Sequence, residues 1–113
     1  MLDEIRIQKS QGTWVVRAGG AVLAETAAGL ELSEPGKAPA IYFPQSDVAM
    51  AFVERSATRK ESPEAGEASY FTIVTESGDI PDAAWTYETP KPGFEALAGC
   101  LTFDPEKVVV ERL

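Results

Sequence analysis

The chain has no histidine among its 113 residues. This removes the Ser-His and Cys-His dyads, the imidazole general base and every histidine metal site. One cysteine, Cys100, is present. It excludes an internal disulfide, leaves a structural zinc without ligands, and fits a reducing, cytoplasmic location. No cofactor or metal is therefore expected, since only a carboxylate-and-carbonyl site for a hard cation stays open. Long apolar runs are also missing: the longest, Val48 to Val53, is far too short to span a bilayer. The opening residues Met1-Leu2-Asp3-Glu4 are acidic and show no secretory signal. Basic side chains are few, 10 against 18 acidic ones, for a net charge of −8. A field of that sign repels phosphates, so neither nucleic acid nor an anionic membrane surface is an expected partner.

What remains is the composition of an ordinary globular protein, 44% hydrophobic and 25% charged, in a chain long enough for one core and too short for two. A single β-rich domain over residues 1–113 is expected. The runs "TWVVRA" and "AVLAET" are apolar-rich and joined by Gly19-Gly20, a pair suited to the positive φ angles of a tight hairpin turn. In the first run Trp14, Val16 and Ala18 share a face. "LELSE" alternates and ends at Pro35-Gly36; "AIYF" stops at Pro44. "PQSDVAM" reads as a helical turn, with Ser46 or Asp47 as its cap. "FVERS" reads as strand, and Ala57 to Glu67 as the longest polar loop. "ASYFTIVT" is dense in β-branched and aromatic residues and reads as a central strand, followed by "AAWTYET". "FEALAG" closes on Gly99 and predicts the one short helix, near 93–98. "CLTF", "DPEK" and "VVVERL" form a last hairpin. The sum is a mainly β fold of about nine short strands, largely antiparallel.

Four segments, "YFPQSDVAM", "SPEAGEASYF", "AWTYETP" and "ALAGCLTFDPEKVVV", in that order and spacing resemble the bacterial and fungal proteins grouped as domain of unknown function 427. The resemblance runs from Trp14 onward. It implies two antiparallel sheets in a β-tent-like arrangement, similar to methionine sulfoxide reductase B and related zinc-binding domains, and implies no particular reaction. Members of that family commonly carry Thr-x-Cys-Pro-x-Lys-Gly ahead of the Ala-x-Tyr strand. This chain has Lys60, Ser62, Pro63, Ala65 and Gly66 at those positions, so a family thiol and a family lysine are both missing.

Four groups of residues are candidates for a site. Trp85 and Tyr87 lie two apart and share a strand face, as Tyr70 does with Thr72 on the preceding strand. Such aromatics line ligand clefts, and they equally fill the core of a β protein. Arg55, Arg59 and Lys60 form the one basic cluster, fit to hold a carboxylate or phosphate, or else to pair with Glu61 and Glu64 in solvent. Asp47 and Glu67 are candidate acid–base groups if desolvated, with capping as the structural role of Asp47. The segment around Gly66 lacks the GxxxxGK[ST] pattern and carries Glu61, Glu64 and Glu67, so it reads as a turn stiffened by Pro63 rather than as a phosphate loop. Cys100, in an apolar stretch, reads as an inert core thiol. The leading expectation is a protein that binds a small polar or anionic molecule in a cleft lined by Tyr70, Trp85 and Tyr87, with Arg55 or Lys60 at its mouth. An enzyme using Asp47 or Glu67, and a protein-interaction module with an exposed apolar patch or free strand edge, are the alternatives.

Overall fold

The computed structural model of the protein describes residues 5–113. Ten strands run in chain order: β1 (Arg6–Lys9), β2 (Trp14–Ala18), β3 (Ala21–Thr26), β4 (Leu30–Ser33), β5 (Ala40–Tyr42), β6 (Val53–Ser62), β7 (Gly66–Thr75), β8 (Gly78–Tyr87), β9 (Leu101–Phe103) and β10 (Val109–Arg112). All pairings between them are antiparallel. They form three sheets, in the orders β1-β4-β5, β10-β2-β3 and β6-β7-β8-β9, where the family resemblance implies two. The difference is small in physical terms, because Phe43 and Leu101 exchange backbone hydrogen bonds of 2.7 and 2.9 Å. That single bridge joins the first and third sheets edge to edge; Pro44, which has no N–H to donate, follows at once.

The expected helix near 93–98 is a single 3-10 turn, Glu95–Leu97. Leu97 and Ala98 donate to Phe94 and Glu95 at 3.0 and 3.1 Å, three residues back, and Ala98 is already extended with ψ 123°. Two prolines before it and Gly99 after it leave too few residues to offset the cost of nucleating an α-helix. The segment after Pro44 makes two more such turns, Gln45–Asp47 and Met50–Phe52. No helix among the described residues is long and apolar enough to cross a membrane.

The expected polar loop from Ala57 to Glu67 is a second correction. β6 continues through it to Ser62, and β7 starts at Gly66, leaving only Pro63, Glu64 and Ala65 to turn the chain. β6 is an edge strand, covered on one side only, so its ladder with β7 holds it without an apolar run. Charged side chains on such an edge also discourage further strands from pairing.

Two apolar clusters lie on opposite faces of β5, β7 and β8. Ile41, Phe43, Phe71, Ile73 and Ala84 face the sheet of β2 and β3, packing against Val16 and Leu23; Trp14 and Ala18 join the same cluster as Val16, as their shared face predicts. Tyr42, Ala68 and Tyr87 point the other way, with Leu32, Ala65, Phe94 and Leu97. The alternation of side chains along each strand makes this division. The second face is only partly covered, and the candidate site lies there.

Candidate functional site

A cleft of about 750 Å³ opens on that second face. β4 and β5 give one wall, with Leu32, Ala40 and Tyr42; β7 and β8 give the other, with Ala68, Tyr70, Trp85 and Tyr87. Antiparallel register sets Tyr70 directly opposite Trp85, and the two rings stack with centroids 5.4 Å apart and planes 30° apart. Tyr42 and Tyr87 make a second stacked pair at 6.4 Å and 26°. Offset pairs of this kind present continuous aromatic faces. Trp14, whose indole N–H donates to Ser10 Oγ at 2.7 Å, borders the cleft from the side of the first cluster, as Phe103 and Val110 do. The chain has three tyrosines and two tryptophans in all, and every one of them borders this cleft.

The depth of each ring sets its chemistry. Tyr42 is 1% exposed; burial, with the neighbouring Tyr87 hydroxyl as a further cause, pushes its phenol well above the ordinary range. Tyr87 and Tyr70 are raised in the same direction, again chiefly by burial. All three phenols are therefore neutral at ordinary pH and act as hydrogen-bond donors and acceptors rather than as bases. Ser62 also lines the cleft; its Oγ accepts from the Ala65 N–H at 3.2 Å, closing the β6–β7 turn. That turn is fixed from outside by Lys91, which donates its backbone N–H to Ala65 and its Nζ to Pro63 at 2.9 and 3.0 Å. Gly66 takes φ +109° there, the positive angle the turn needs.

Of the residues singled out in the sequence, Tyr70, Trp85, Tyr87 and Lys60 line the cleft. Lys60 lays its Nζ over the Tyr70 ring, 5.3 Å from the centroid. Arg55 does not reach it. Its guanidinium donates to both carboxylate oxygens of Glu88, at 3.4 and 2.7 Å, and covers the Phe71 ring on the opposite face. Side chains one apart on β7 point to opposite faces, and Arg55 pairs in register with Phe71, so it belongs to the other side. Neither candidate acid–base group is in the cleft. Asp47 is exposed and accepts from Thr26 Oγ1 at 2.7 Å, tying its turn to β3 instead of capping it. Glu67 is exposed and lies 3.7 Å from Arg59. Cys100 is half-buried, and burial raises its thiol, which suits an unreactive role.

Sequence reasoning missed Tyr42 and the acidic rim. Tyr42 sits in a strand of three residues between two core positions, Ile41 and Phe43, and only the alternation of faces marks it as different. Glu31, Glu34, Glu61 and Glu64 all line the cleft; the last two were legible as charges hostile to phosphate, but their convergence with Glu31 and Glu34 depends on strands about thirty positions apart. No curated protein matches the chain. The model of a family described as a domain of unknown function, DUF427, matches residues 6–112. That span includes every residue of the cleft, and the chain belongs to this family.

Proposed function

We propose that the protein is a binding module for a small polar molecule, held in the aromatic cleft between the β4–β5 and β7–β8 walls. The observation that carries this reading is the convergence of every tyrosine and tryptophan of the chain on one cleft of about 750 Å³. Ligand pockets are typically about 300–1,000 Å³ and combine apolar walls with a few polar groups that fix orientation. Here the walls are ring faces, and the phenol hydroxyls, Ser62 Oγ and the rim charges are the polar groups. A packed core would bring the same residue types together without leaving space between them. The catalytic alternative loses support, because Asp47 and Glu67 are exposed and outside the cleft.

NMR with mixtures of polar metabolites, followed on the ligand signals and on the indole N–H signals of the 15N-labelled protein, tests this reading. Binders are expected with the wild-type protein, to shift the Trp85 indole N–H more than that of Trp14, and to be lost with Trp85→Ala, whose fold is checked by the amide spectrum. Binding that survives Trp85→Ala and Tyr70→Ala, or no binder across chemically varied mixtures, overturns it.

A further inference from the structure

A cleft selects by charge as well as by shape, and this one carries a definite sign. Its lining includes four glutamates, Glu31, Glu34, Glu61 and Glu64, against two lysines, Lys37 and Lys60. Lys37 lies 3.7 Å from Glu34 and so partly neutralises a charge already counted. Arg55, the residue best fitted to grip an anion, is held by Glu88 on the other face. The whole chain adds a net −8, which reinforces the same sign at long range. The ring faces that make the walls are themselves electron-rich and attract cations.

We propose that the ligand is a small organic cation, an ammonium group on an apolar body, and that Lys60 occupies its subsite when the cleft is empty. This rests on the small-molecule reading of the cleft and adds the sign of the ligand. The protein already displays the contact it would make with such a ligand, since the Lys60 ammonium stands 5.3 Å from the Tyr70 centroid. Tyr70 in turn stacks on Trp85, so the ring that meets the cation is backed by a second aromatic ring. Lys60 is exposed and lies on the edge strand β6, and its long flexible stem lets the ammonium swing aside without moving the backbone. A ligand ammonium then takes its place on the Tyr70 face, with glutamates on both rims to offset its charge. A ligand carboxylate in the same position would gain Lys60 but face four glutamates and the negative faces of the rings.

Three probes of one shape separate the possibilities: benzylammonium, benzyl alcohol and benzoate, titrated into the 15N-labelled full chain while the Trp85 indole signal is followed. Benzylammonium is expected to bind at least about tenfold more tightly than benzoate, and more tightly than benzyl alcohol. Raising the salt concentration is expected to weaken benzylammonium and to leave benzyl alcohol unchanged. Lys60→Ala removes the resident ammonium and is expected to tighten benzylammonium about threefold or more, as a tethered competitor disappears, with no gain for benzoate. Benzoate binding as tightly as benzylammonium, or losing affinity in Lys60→Ala while benzylammonium gains none, overturns the cation assignment and leaves the small-molecule cleft standing. Benzyl alcohol equal to benzylammonium does the same. Failure of all three probes to shift Trp85 overturns the cation assignment, and the metabolite mixtures then decide separately whether the cleft binds a small molecule at all.

Discussion

At the scale of single residues, the most constrained position is Asp82. It is the one described residue other than glycine with a positive φ, +52°, a conformation that Asp and Asn tolerate better than other side chains. Its carboxylate reaches across the sheet to accept from Ser56 Oγ at 2.6 Å and Thr58 Oγ1 at 2.7 Å. Those two residues lie where the β6–β7 register shifts between Arg55 and Arg59, so one carboxylate ties β8 to the irregular part of the edge strand. The Ser56 and Thr58 bonds hold the Asp82 carboxyl below the ordinary range. Glu88 is lowered likewise, first by its hydrogen bonds from Arg55. A carboxyl depressed in the folded state stabilises fully above its unfolded pKa, near 4, and loses that contribution as pH falls through the folded value. Asp82→Asn keeps the backbone tolerance and removes the charge. It is expected to cost about 1–2 kcal/mol at pH 7, a modest figure because the group is largely solvated. Urea unfolding at pH 7 and pH 3 should show a smaller acid-induced loss for the variant than for the wild type; equal losses would mean that the two bonds contribute nothing.

At the scale of elements, local chemistry decides the turns, and distant partners decide the rest. Gly19-Gly20 was legible as a hairpin turn and takes φ angles of +55° and +78°. The two positions nonetheless differ in a way no local pattern shows. A Cβ on Gly19 would come within 2.5 Å of Thr75 Oγ1, at the far end of β7, whereas one on Gly20 meets nothing within 4 Å. Gly20→Ala should therefore pay only the left-handed backbone penalty, about 1–2 kcal/mol. Gly19→Ala should cost at least about 1 kcal/mol more, because Thr75 must also move. Equal denaturation midpoints for the two variants would contradict that close approach. The same contrast explains where strand prediction failed. "ASYFTIVT" announces itself through β-branched and aromatic residues, but Ala57 to Ser62 is polar because it sits on an edge, and only its ladder with β7 makes it a strand. Arg55 was expected to pair nearby or face a ligand; its partner Glu88 is 33 positions away, which sequence spacing cannot reveal.

At the scale of the molecule, one set of strands serves two compartments. β7 and β8 present Phe71, Ile73 and Ala84 to a closed core and Tyr70, Trp85 and Tyr87 to a cleft. The period of two gives which residues share a face, and for that reason the aromatic trio could be grouped from the sequence. It cannot tell whether that face meets a third layer or open space, since this depends on how far the β4–β5 wall stands from β7. Neighbouring residues on β7 test the difference directly. Phe71 is 7% exposed within the core that includes Val16 and Phe43, and Phe71→Ala is expected to cost about 3–5 kcal/mol through lost burial and a cavity. Tyr70 is half-buried and stacked on Trp85 along the cleft wall, so Tyr70→Ala loses the stacking and part of one face, about 1–2 kcal/mol. Because the two positions are adjacent in one strand, changes in local strand propensity largely cancel in the comparison. Urea denaturation at neutral pH measures both. A gap of about 2 kcal/mol marks the Tyr70 side as open wall. A Tyr70→Ala cost matching that of Phe71→Ala would mean that the second face is closed core, and the space assigned to a ligand would already be filled by the protein itself.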